Sequence, residues 1–175
     1  MSAPSQMLKP LVDDDSDNRP EDCIACQILI GKITAPGGII AETPHWVADH
    51  CIGAHGLGAI VVKSRAHREN FWDLTPQEAA TLGGFLKKIT QAMQQVLGAE
   101  RIYISSWVDQ PPYHVHFLLQ PRYPDTDKTE LGLQGLELQI YRALQPKPKA
   151  AEAAAIAEKI RAYLAQTSAS PTRSE

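Results

Sequence analysis

Residues 75–120 read TPQEAATLGGFLKKITQAMQQVLGAERIYISSWVDQPPYHVHFLLQ, and this stretch decides the fold class. It opens on Thr75-Pro76-Gln77-Glu78, which supplies an N-cap, a proline at the first helical position and a capping-box acid. Leu82, Leu86, Ile89, Met93 and Val96 then recur at helical spacing, and Gly98 stands where a left-handed C-cap belongs. Such a stripe reads as core packing. Two strand-like runs follow, RIYISSW (101–107) and YHVHFLLQ (113–120), parted by the short turn VDQPP. A long helix feeding a close antiparallel pair predicts an α+β fold with a mostly antiparallel sheet.

Upstream, GAIVVK (58–63) is a β-branched run bounded by glycine and polar residues, hence a strand. Residues 39–42 and 46–49 read as short strands around a Thr43-Pro44 turn, and 20–31 as a short helix ended by Gly31. Residues 1–20 are acidic, with Pro, Ser and Asn and few apolar anchors, so they read as a flexible tail. Downstream, 126–145 carries no clear pattern. Residues 149–166 (KAAEAAAIAEKIRAYLAQ) form an alanine-rich helix with Ile156, Ile160 and Tyr163 as a thin stripe, and 167–175 reads as a frayed end. The domain is thus expected over 21–125, with 126–166 as a C-terminal extension carrying the second helix. No internal repeat is visible.

A chain of 175 residues fits one domain. Its net charge of −3 and the lack of a Lys/Arg cluster exclude a duplex-tracking basic surface, though a small nucleotide needs only local donors. No apolar run approaches the roughly 18 residues that span a bilayer, and the opening residues lack an apolar signal-peptide core. The expectation is a soluble, cytoplasmic protein without a membrane partner.

Three cysteines make no disulfide framework, but Cys23 and Cys26 form a C-x-x-C pair. Such a pair has metal and redox readings, and two half-buried thiols on a helix are a third. With His67 and His114 it would complete a closed Cys₂His₂ zinc site. His114-Val115-His116 places two imidazoles two residues apart, on one face if the run is a strand. On pattern alone that means a metal site, a catalytic site or nothing special.

The order CIAC, GAIVVKSRAHRENFWDLTPQE and YHVHFLLQPR resembles the histidine-triad nucleotide hydrolases and transferases over residues 22–122. It is most similar to a branch in which H-x-H-F-φ-φ-Q-P replaces the full triad. The resemblance implies a structural zinc on Cys23, Cys26, His67 and His114, with His116 as the nucleophile attacking an α-phosphorus. It places Gln110, four residues before the first triad histidine, near the phosphate. It also implies a homodimer.

Leu118 stands where the third triad histidine belongs, and Ala59 where a further phosphate-binding histidine is usual. Pro111 replaces a hydroxyl residue after Gln110. Gln120, on the same strand face, is the compensating donor expected from pattern; His50 and His55 are other candidate substitutes that otherwise read as exposed loop histidines, and Lys63, Arg65 and Arg122 read as basic residues at exposed strand ends that a phosphate could meet. The implied activity is hydrolysis or nucleotidyl transfer on dinucleoside polyphosphates or nucleoside phosphoramidates. The alternatives are a non-catalytic nucleotide-binding module and a zinc-stabilised interaction protein.

Overall fold

A computed structural model describes residues 19–52, 56–124 and 149–169. The acidic stretch 1–18, His55, the unpatterned 126–145 and the last residues from 170 lie outside that description.

Helix α1 (Ile24–Leu29) is capped by the Cys23 sulfur, which accepts from the Cys26 N–H at 3.5 Å. Strands β1 (Ile39–Glu42) and β2 (Trp46–His50) are joined by a turn that Thr43 fixes. Its Oγ1 accepts from the N–H groups of His45 (3.2 Å) and Trp46 (2.9 Å). Strand β3 (Ile60–Ser64) pairs with β2 from Trp46↔Ser64 to His50↔Ile60. After a short 3-10 turn (Phe71–Asp73) comes α2 (Pro76–Leu97), then β4 (Arg101–Ser105), β5 (His116–Arg122) and α3 (Ala150–Ala169). The sheet runs β1-β2-β3-β5-β4, every neighbouring pair antiparallel.

The long helix begins and ends as its sequence requires. Thr75 Oγ1 accepts from Glu78 N–H (3.2 Å), and Glu78 returns the bond to Thr75 N–H (2.7 Å). Gly98 takes φ +64°, a left-handed cap that a side chain would strain. The buried face is Leu82, Phe85, Ile89, Ala92 and Met93; Leu86 and Val96 of the expected stripe pack at its margin. Against it lie Ile40, Trp46, Ala48, Ile60, Val62 and Leu119, the inward half of each strand's alternation. Each such apolar side chain stabilises by about 1.5–3 kcal/mol relative to exposure, before ordering costs. Trp46 also donates its indole N–H to Glu78 O (3.0 Å), fixing α2 to the sheet.

Two elements differ from the sequence expectation. The alanine-rich helix is not an appendage: Ala157, Ile160 and Leu164 complete the same core as α2, and the helix runs on through 167–169. Arg161 binds it to β1 by donating from Nε to Ile39 O (3.0 Å) and from a terminal nitrogen to Gly37 O. Small alanines allow that close approach; Ile156 and Tyr163 lie only at the core's edge. The second difference is β5, which begins at His116 and not at 113. Val115 bonds outside the ladder, donating to Arg68 O (2.7 Å) and accepting from Ser64 N–H (3.1 Å). The chain there wraps the end of β3, and His114 is released from the pleat. Pro121 sits past the last β3–β5 pair, Ile60↔Leu119, so its missing N–H breaks no rung of that ladder.

Candidate functional site

Alternation sends the other half of β2, β3 and β5 to the face opposite α2 and α3. That face carries Asp49, Lys63, His116, Leu118 and Gln120, with Ala59, Val61, Cys51 and Leu118 forming a small apolar cluster. At the end of the sheet where His116 begins β5 lies the four-residue group foreseen in the sequence.

Cys23, Cys26, His67 and His114 are all buried, and their ligand atoms lie within 4.8 Å of one another. Cys23 Sγ is 3.4 Å from His114 Nδ1, and Cys26 Sγ is 3.4 Å from His67 Nδ1 and 3.6 Å from His114 Nδ1. The two Nδ1 atoms are 3.2 Å apart. Zinc bonds of about 2.3 Å to sulfur and 2.0–2.1 Å to nitrogen give tetrahedral edges of about 3.6 Å (S···N) and about 3.4 Å (N···N). The measured edges lie within a few tenths of an ångström of those values. The donor set therefore fits one tetrahedral zinc.

The surroundings of the ligands agree with that fit. His114 donates from Nε2 to Ser64 O (2.9 Å), which leaves its Nδ1 lone pair aimed into the cluster. Burial pushes His114 down to about 4, helped by the neighbouring His67, Lys63 and His116 and opposed by the Ser64 bond, so the ring is neutral. Burial likewise lowers His67. Burial, then the adjacent Cys23, pushes the Cys26 thiol up to about 12. A divalent cation reverses that last balance, since it is the opposite charge that a buried thiolate needs.

His116 follows directly on this group. Its Nδ1–H donates to His114 O at 2.8 Å, which fixes the tautomer and leaves the Nε2 lone pair free. Its ring is half-buried, between the sealed ligands and solvent. Ser106 Oγ donates to His116 O (2.8 Å), holding the strand's start.

Other sequence-expected residues fall elsewhere. Gln110 is exposed in the β4–β5 connection. Gln120 is buried, but it lies four residues along β5, about 13 Å from His116 at strand rise. Its amide nitrogen is 3.0 Å from where a Gly56 side chain would begin, and Leu118 stands between it and His116. That position does not bring it to an anion beside His116.

His50 is not a loop histidine. It is buried, accepts from Gly58 N–H at Nε2 (3.0 Å) and donates from Nδ1 to Cys51 O (3.0 Å). Both nitrogens are committed to closing the β2–β3 hairpin, on the core side of the sheet. Arg65 binds Glu42 (2.6 Å) and Arg122 binds Glu100 (3.2 Å), both at the margins. Lys63, expected at an exposed strand end, is instead buried and 2.6 Å from Asp49. Ser64 and Asp49 were not singled out from the sequence. An apolar run flanked by polar residues gives no signal for either role.

No family model and no curated protein matches the sequence. Solved structures do match the fold. A Hit-like protein of Bartonella henselae involved in cell-cycle regulation superposes with TM-score 0.63 and 18% identity, over 82% of this chain and 97% of that one. A hypothetical histidine triad nucleotide-binding protein of Sulfolobus tokodaii gives TM-score 0.65 and 14% identity, covering 82% and 93%. The fold is that of the histidine-triad superfamily. A zinc-bound histidine triad family protein of Mycobacterium smegmatis is also similar, with TM-score 0.61, 22% identity and coverage of 84% and 96%. Within this fold, His116 begins β5, between β3 and β4, and the Cys₂His₂ group closes the sheet end beside it. Among the described residues no helix is long and apolar enough to cross a membrane.

Proposed function

We propose that the chain is a histidine-triad nucleotide hydrolase or nucleotidyl transferase whose nucleophile is His116, braced by a structural zinc on Cys23, Cys26, His67 and His114. The observation that carries this reading is the 2.8 Å bond from His116 Nδ1 to His114 O, because in the neutral ring it keeps the proton on Nδ1 and the lone pair on Nε2, in a residue that is half-buried.

In this reading Nε2 attacks the α-phosphorus of a nucleoside phosphate. A P–N bond to His116 forms as the bond from phosphorus to the leaving group breaks, P–O in a dinucleoside polyphosphate and P–N in a phosphoramidate, and that bond's electron pair departs with the leaving oxygen or nitrogen. The imidazole becomes cationic, and its Nδ1–H stays on the His114 carbonyl. Water or another acceptor hydroxyl then attacks phosphorus and gives its proton to solvent, the P–N bond breaks with its electron pair returning to Nε2, and neutral His116 is restored. Gln110 is the donor proposed for a non-bridging oxygen, presented from the exposed connection. Cys23, Cys26, His67 and His114 would hold a zinc whose part is structural, while the His114 carbonyl sets the tautomer of His116.

The test is release of AMP from diadenosine polyphosphates and adenosine phosphoramidates, with intact-mass trapping of an adenylyl-protein. His116→Ala should abolish both. Turnover unchanged by that substitution overturns the proposal. A second reading, nucleotide binding without turnover, is favoured by one observation: Leu118 and Ala59 pack together in an apolar cluster where phosphate donors would stand. AMP binding with no adenylyl-protein under any condition would select it.

A further inference from the structure

The face that carries His116 is otherwise apolar between its ends: Val61 and Leu118 are direct cross-strand partners, and Ala59 and Cys51 pack with them. Into it is set a lysine–carboxylate pair. Lys63 and Asp49 are 2% and 1% exposed, and their charged atoms are 2.6 Å apart. Replacing such a pair by apolar residues of the same volume is often neutral or stabilising, so burial here is not explained by stability. Its position is distinctive. Lys63 is the β3 residue directly opposite His116 on β5, on the same face. Side chains so paired begin about 5 Å apart.

Among the described residues the Lys63 ammonium has one partner, Asp49, for its three N–H donors. A phosphorus poised at about 3–3.5 Å from His116 Nε2 brings its non-bridging oxygens toward the ammonium of the facing residue. The neighbourhood lacks the imidazole donors that Leu118 and Ala59 replace, and a cation held in a dry site acts far more strongly on an anion than one in water.

Building on the His116 reading, we propose that Lys63 is the phosphate-binding cation of the site, donating to a non-bridging oxygen of the nucleotide's α-phosphate, and that Asp49 is the positioning residue that holds the ammonium in place. The substrate class is then a nucleoside monophosphoryl group whose charge is met from β3, one strand away from the nucleophile, and not from further along β5.

The probe is AMP. Lys63→Met with Asp49→Asn removes both charges together and leaves no unpaired ion. This double variant should weaken AMP binding at least ten-fold by calorimetry. A folded double variant that binds AMP as the wild type does overturns the proposal, and so does a wild type that binds no AMP at millimolar concentration. A crystal structure of wild-type protein with AMP needs no variant to fold. It should place Lys63 Nζ within hydrogen-bond distance of a phosphate oxygen, and an ammonium turned away from the phosphate overturns the assignment. Lys63-dependent AMP binding without any adenylyl-protein sustains this inference and sinks the covalent reading; adenylyl-protein forming equally in the double variant does the reverse.

Discussion

Stripping zinc with a chelator is the perturbation whose size the structure sets most directly. The ligands come from three separate places: the start of α1, the segment after β3, and the residue pair preceding β5. Cys23 and His114 are 91 residues apart in sequence, Cys26 and His67 are 41 apart. One ion held by these ligands would therefore cross-link α1 to the ends of β3 and β5, and its binding free energy would be folding free energy. At a free zinc concentration a hundred times the dissociation constant, the native state gains about 2.7 kcal/mol over the unfolded chain. For a domain of this size about 1 kcal/mol moves the melting temperature by about 2–4 °C, so the loss should be about 5–11 °C.

Removing the ion would also leave the four buried ligand atoms with only weak contacts to one another, which adds to the destabilisation. The assay is thermal unfolding followed by circular dichroism on zinc-loaded, stripped and reloaded protein, with metal content measured on each. Cys26→Ser should cancel the recovery on reloading. Cys51→Ser should not, because Cys51 packs with Ala59 and Leu118, apart from the cluster. A metal-free protein that melts at the temperature of the loaded one refutes the reasoning.

Two further outcomes test the frame around the site. Gly37→Ala should destabilise by about 1–3 kcal/mol in urea unfolding. Its backbone is at φ +74°, and an added Cβ would stand 2.7 Å from Ala157 Cβ and 2.8 Å from Ala154 O, forcing α3 off the sheet. Unchanged stability would show that α3 is not docked as described. Burial lowers His50 below its usual 6.5, with the bond to Cys51 O opposing. Its contribution is therefore complete above pH 6.5 and is lost as the pH falls through the lower folded value. Wild type should lose melting temperature relative to His50→Gln on going from pH 7.5 to acid, and parallel profiles would contradict the assignment.

How far the sequence reached depends on how local each signal was. The long helix was legible to the residue because Thr75, Pro76, Glu78 and Gly98 act within one turn of its ends. The strands were legible as runs, but the start of β5 was not. Val115 is drawn out of the ladder by Arg68 and Ser64, and neither leaves a mark on the run YHVHFLLQ. The ligand set Cys23, Cys26, His67 and His114 was legible from residue chemistry and the order of three motifs, although residues 41 and 91 positions apart had to meet.

By itself the sequence determined the α+β class, the caps and stripe of α2, and the cysteine and histidine types of the buried cluster with His116 two residues beyond it. Tertiary structure alone decided which way those histidines face. It turned His114 inward on its bond to Ser64 O, fixed the His116 tautomer on the His114 carbonyl, spent His50 on a hairpin and moved Gln120 out of reach. It also drew Lys63 from an expected exposed end to a buried pairing with Asp49, on the sheet face that carries His116. The physical reason is range. Caps and periodicity are properties of neighbours along the chain, whereas the direction of a ring and the partner of a buried charge follow from strand register, which is settled only when distant segments pair.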